Sequence, residues 1–153
     1  MKQISIIFPN QLFEESPILD FKCEILMLED SLFWGNDKKY KCINHINKII
    51  FLRSAMYSYR EYLQKSGFKV IYGFNEKNFD TYDYLSKYRV ENYDNVNIIE
   101  PHDYLLLRRL KNFFKKNDIK VNILNSPMFL IKEELKNKFC LLYTSPSPRD
   151  DGV

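Results

Sequence analysis

Short apolar runs alternate along this chain with longer segments whose apolar residues recur every three or four positions. That alternation limits the available folds more than any other feature. Gln3 to Phe8 is β-branched and aromatic and is stopped by Pro9-Asn10. Glu24 to Glu29 repeats the pattern, followed by Lys69 to Phe74, Val96 to Glu100 (ended by Pro101) and Ile119 to Leu124. Runs of this length and composition read as buried strands. Between the second and third, over Asn44 to Ser66, the period changes. Ile49, Leu52, Met56, Tyr59 and Leu63 fall on one helical stripe, with Asn44 placed to cap it and Gly67 to end it. Asp80 to Tyr88 and Asp103 to Lys116 read as two further helices, the latter with a basic last turn that suits its dipole. Met128 to Lys138, after Ser126-Pro127, reads as a last one. Ser16-Pro17 opens a short connection with room for a helical turn.

Strands that alternate with helices form a parallel sheet with right-handed crossovers. The expected fold is therefore α/β: a doubly wound, Rossmann-like, five-stranded parallel sheet with helices on both faces. Ligands of such folds sit beyond the carboxyl ends of the strands, where strand order reverses. The expected site is lined by Pro9 to Leu12, Glu29 to Phe33 and the start of the first long helix.

Several function classes are excluded or disfavoured. With 23 basic and 20 acidic residues the net charge is only +3, which gives no electrostatic case for nucleic-acid binding by this stretch alone. Cys23, Cys42 and Cys140 are odd in number and widely spaced, as expected of reduced thiols. No run approaches the ~18 apolar residues of a membrane span, and Lys2 precedes only a strand-length apolar run. The expectation is a cytoplasmic protein without membrane contact. The chain has four glycines, and none forms G-x-G-x-x-G or a phosphate loop after the first strand. Two histidines and three scattered cysteines suggest no metal site, and no nucleophile–base arrangement is suggested locally, so no catalytic residue is assigned.

A few residues do suit ligand binding. His45 and Lys48 are three apart near a helix start and share a face, so they could bond the carbonyls of a heteroaromatic ring or a ribityl chain. Asn10 and Gln11 offer donors and acceptors from the first loop, and Glu29 can accept from a ring N–H or hydroxyl. Phe33 and Trp34 could stack on the ring. The same residues equally suit structural duty as solvated first-turn side chains, a helix cap and a loop anchor. His102 and Asp103 read as helix-start residues, and Arg108-Arg109 and Lys115-Lys116 as solvated helix faces.

In order, Ile6-Ile-Phe-Pro-Asn-Gln-Leu12, Leu26-Met-Leu-Glu29, Leu32-Phe-Trp, His45-x-x-Lys48-Ile-x-Phe, Ser54-Ala-Met56, Gly67-Phe-Lys-Val-Ile-Tyr72 and Asn125-Ser-Pro-Met-Phe-Leu130 with Glu133-Glu-Leu resemble one family. They look like the amino-terminal domain of deoxyribodipyrimidine photolyase-related proteins, the bacterial iron–sulfur branch of the cryptochrome/photolyase family. The resemblance implies an antenna domain that can bind a lumazine-type chromophore and pass excitation to FAD. That FAD, a [4Fe-4S] cluster and the DNA-lesion surface belong to a separate helical domain, absent from this sequence. Full-length relatives repair ultraviolet photoproducts, as carbon–carbon lyases, or sense blue light. In this family the matching positions Gln11, Glu29, His45 and Lys48 would hold the chromophore. The family commonly has Gly-Asp where this chain has Pro9-Asn10, and Arg where it has Tyr57.

The end of the chain differs in kind. Tyr143 to Asp150 alternates Ser and Pro and resembles read-through of sequencing-adapter DNA, with a Pro/Ser linker as the alternative. The expectation is one domain over 1–139 and a non-native, disordered tail over 140–153. The leading functional expectation is a truncated light-harvesting domain with no catalysis of its own. The alternatives are a structural module packed on the helical FAD domain with an empty pocket, and an unrelated adenine-nucleotide-binding α/β domain.

Overall fold

A computed structural model describes residues 1–129. In chain order it contains β1 (Gln3–Ile7), a 3-10 turn (Pro17–Phe21), β2 (Glu24–Leu28), α1 (Ser31–Trp34), α2 (Ile46–Lys65), β3 (Val70–Gly73), α3 (Thr81–Lys87), β4 (Asn95–Ile99), α4 (Tyr104–Lys116) and β5 (Lys120–Leu124). The five expected strands are present with ends shifted by about one residue, and every strand pair is parallel. The helix expected from Met128 onward falls almost entirely outside the described residues, as does the tail.

Strand order is β3-β2-β1-β4-β5. The chain steps outward from β1 through β2 to β3, then returns to the other side of β1. The covering helices change face with it, as right-handed crossovers require. Ile4, Ile6, Phe8, Leu26, Leu28, Val96 and Ile98 pack under α3 and α4. On the opposite face Ile7, Ile25, Met27 and Ile99 pack under α2 and the 3-10 turn, meeting Ile18, Met56, Tyr59 and Leu63. The alternation along each strand is what sends neighbouring side chains to the two cores.

One helix start and one helix face differ from expectation. α2 is capped by His45, not Asn44: the His45 Nδ1 accepts from the Asn47 amide at 3.1 Å. Asn44 instead donates to the Phe33 carbonyl at 3.1 Å, tying α2's approach to α1. The core stripe of α2 holds at Met56, Tyr59 and Leu63, whereas Ile49 and Leu52 are only half-buried. α4 begins as expected, with the Asp103 carboxylate accepting from the Leu106 amide. Arg109, expected on a solvated face, is buried. It forms a two-pronged ion pair with buried Asp37 at 2.6 and 3.0 Å. The reason is periodicity: Arg109 stands between Leu106 and Phe113 on the stripe that α4 turns to the sheet.

Candidate functional site

Strand order reverses between β1 and β4, so the crevice favoured for ligands in such folds opens beyond Ile7 and Ile99. The expected lining is split by this order: Pro9 to Leu12 follow β1 at the reversal point, whereas Glu29 to Phe33 follow β2, one strand away. At the true reversal point the gap is bridged by Gln11, which is almost wholly buried. Its Nε2 donates to the Ile99 carbonyl at 3.0 Å and its Oε1 accepts from the Phe8 amide at 3.3 Å. Asn10, beside it, is exposed. Pro9 is buried and offers no amide hydrogen.

Glu29 follows β2 and is fully buried. Arg53 grips it with Nε at 2.9 Å and Nη2 at 2.6 Å, the Tyr72 hydroxyl donates at 2.5 Å, and the Asn75 amide donates at 2.9 Å. A carboxylate offers about four lone-pair sites, so these four donors saturate it. Burial, then the adjacent Glu29 carboxylate, pushes the Tyr72 phenol far above its ordinary range, so it remains a donor. The Arg53 guanidinium lies over the Trp34 and Phe74 rings, 5.7 and 6.0 Å from their centroids. Phe33 stacks on Phe8 at 6.3 Å, inside the α3/α4 core. His45 and Lys48 are exposed at the start of α2, and the Lys48 ammonium donates to Asn44 at 3.2 Å. Glu29, Gln11 and Phe33 are thus engaged within the fold, while Asn10, His45 and Lys48 stand at the surface. None of the six lines either of the two concavities described below.

A groove suited to a ring lies between the same two segments, further along α2. Leu12 and Glu14 of the first loop face Ala55, Ser58, Tyr59 and Tyr62 across about 430 Å³. The Tyr59 hydroxyl donates to the Phe13 carbonyl at 2.7 Å and the Tyr62 hydroxyl to the Glu14 carbonyl at 3.2 Å. The two rings lie 5.7 Å apart at 28°. Both phenols therefore pin the loop to the helix and leave their ring faces as walls. Burial pushes the Tyr59 phenol up to about 12, which keeps it protonated as a donor. The sequence assigned Tyr59 to the core alone. A signal was present in its spacing from Tyr62, which turns two aromatic rings toward one loop.

Among the described residues there is no group of three or more His, Cys, Asp or Glu that could hold a metal ion, and Cys23 and Cys42 are free thiols. No helix there is long and apolar enough to cross a membrane. Residues 5–140 match the family described as deoxyribodipyrimidine photo-lyase-related protein. An uncharacterized protein of Acanthamoeba polyphaga mimivirus is 37% identical over 137 residues, covering 86% of this chain and 67% of that relative.

Proposed function

The chain belongs to the deoxyribodipyrimidine photo-lyase-related proteins, and from that membership we propose that it is a chromophore-binding α/β domain serving a flavin-bearing partner. The observation that carries this reading is the Tyr-walled groove between the first loop and α2. It has the volume of a small-molecule site and mostly apolar walls, with few polar groups at its rim. A lumazine-type ring fits between Leu12, Ala55 and Tyr59, and its ribityl hydroxyls would meet Ser58 and the Glu14 carboxylate. The saturated Glu29 does not fit the role of a ring contact; it holds Arg53 and Tyr72 in place. When bound, such a chromophore absorbs near-ultraviolet or blue light and passes the excitation on. This chain's residues hold and orient it and exclude water from its faces. In this reading FAD, the [4Fe-4S] cluster and DNA contacts belong to the helical partner domain, and the setting is cytoplasmic.

Titration of the chain with a ribityl-lumazine, followed by absorbance, tests the proposal. A saturable, red-shifted band is expected, weakened about tenfold or more by Ala55→Leu, which fills the groove. Loss on His45→Ala or Lys48→Ala instead would move the ring to the mouth of α2. No band, with native circular dichroism, would leave the structural-module reading. That second reading has its own support: Ile43, Ile46, Ile50 and Phe51 are 100, 61, 56 and 71% exposed on or just before α2. Such a face suits packing against the helical domain.

A further inference from the structure

A second concavity of about 440 Å³ shares no residue with the Tyr-walled groove. It is lined by Gly35, Asn36, Lys41, Ile43, Lys77 and Asn78, together with Cys42. Its walls are fixed by backbone. Gly35 ends α1 with φ +82°, and a Cβ there would lie 2.0 Å from the Cys42 carbonyl oxygen, so only glycine lets the 41–43 stretch return this closely. The Cys42 amide donates to the Gly35 carbonyl at 2.9 Å, and Asn36 pairs with Lys41 in an antiparallel bridge. The Asn36 side chain is held by Asn75 at 2.7 Å. Asn78, with φ 60°, turns the opposite wall.

The lining contains two ammonium groups and no acid. The acids nearest in sequence are committed elsewhere: Asp37 to Arg109, and Glu76 to Lys87. Lys38, close by, is paired with Asp83. Neither Lys41 nor Lys77 has a side-chain hydrogen bond or ion pair among the described residues. From Lys38 to Arg60 the chain carries six cations and no acid, against a net charge of +3 overall. Concave surfaces of one sign focus potential and raise the local concentration of counter-ions. Ile43, fully exposed on the same lining, adds an apolar contact that a bare inorganic anion would not use.

We propose that this concavity binds a phosphate monoester of a small, partly apolar molecule of nucleotide size. The phosphate would lie between Lys41 and Lys77, Asn78 would bond a hydroxyl or ring edge, and Ile43 would cover the apolar body. The volume falls within the range of small-molecule sites. The inference does not depend on chromophore binding, because the two sites share no residue.

The test is a ¹⁵N–¹H NMR titration of the full chain at low ionic strength with adenosine 5′-monophosphate, adenosine, inorganic phosphate and a short single-stranded oligonucleotide. Saturable shifts of the Gly35, Asn36 and Asn78 amides are expected with the monophosphate. Inorganic phosphate should bind more weakly and adenosine not at all. Lys41→Gln and Lys77→Gln, both at the surface, should each weaken binding about tenfold with unchanged melting temperature. Equal binding of adenosine, or full affinity in either lysine variant, would overturn the proposal. Equal binding of inorganic phosphate would reduce the site to a plain anion hole and overturn it as well. Affinity that appears only with the oligonucleotide and grows with its length would replace it with a nucleic-acid surface.

Discussion

Asp30 and Asp37 share one buried region beside Arg109 and Thr81, yet their carboxyls are shifted in opposite directions. Burial works against the Asp37 charge, but the two Arg109 bonds and the Tyr40 and Lys39 amides outweigh it and hold the carboxyl below its usual range. Asp30 receives the Leu32 amide on one oxygen, while the other has no hydrogen-bond partner among the described residues. Burial dominates there and pushes it up to about 6, against the Leu32 amide, the Thr81 hydroxyl and Arg109. The linkage signs follow. Asp37 stabilises the fold above the ordinary carboxylate pKa, and that stability is lost as pH falls through its lowered value. Asp30 stabilises it below about pH 4, and that contribution is lost as pH rises through about 6. Asp37→Asn should cost about 3 kcal/mol at pH 7, with the deficit shrinking in acid, as read by urea unfolding. Asp30→Asn, which keeps a cap, should gain about 1–3 kcal/mol at pH 7.5 and only about a third of that near pH 4.5. A gain that is the same at both pH values would refute the buried-charge account.

At the scale of the element, α2 is where sequence and structure differ most usefully. Its outline was legible from the three-and-four spacing, and α4's was too, down to the Asp103 cap. The cap of α2 was not, because Asn44 is a better capping residue than His45. Asn44 is used instead by the Phe33 carbonyl, a partner eleven residues upstream that no local pattern reveals. Glu29 illustrates the same limit: its donors Arg53, Tyr72 and Asn75 lie 24 to 46 residues away, so its saturation could not be read from sequence. Arg109 was readable, since it sits between Leu106 and Phe113 on the apolar stripe. α3 meets its expectation with a reciprocal cap, Asp80 accepting from the Asp83 amide at 3.0 Å and Asp83 from the Asp80 amide at 2.9 Å. Because His45 is an uncommon cap, His45→Asp should raise stability by about 0.5–1 kcal/mol through a stronger cap and a favourable dipole interaction. Thermal unfolding by circular dichroism reads this directly; a lower midpoint would mean that the imidazole does more than cap.

For the whole molecule, the order β3-β2-β1-β4-β5 determines which strand ends can hold a ligand, and the apolar surface determines how the domain behaves in solution. The polar alternation of β5, with Lys120 and Asn122, protects one sheet edge, while Ile43, Ile46, Ile50 and Phe51 leave one helix face unprotected. Sedimentation at rising concentration should show self-association that Ile50→Glu with Phe51→Glu abolishes without altering the unfolding midpoint. Persistent association in that double variant would point to a sheet edge instead. Gln11 has a different consequence, one for protein engineering. Because a single amide side chain laces the ends of β1 and β4, exchanging it for a smaller residue would open a vestibule at the place where doubly wound folds most readily acquire new chemistry, making this chain a scaffold one substitution away from an added site.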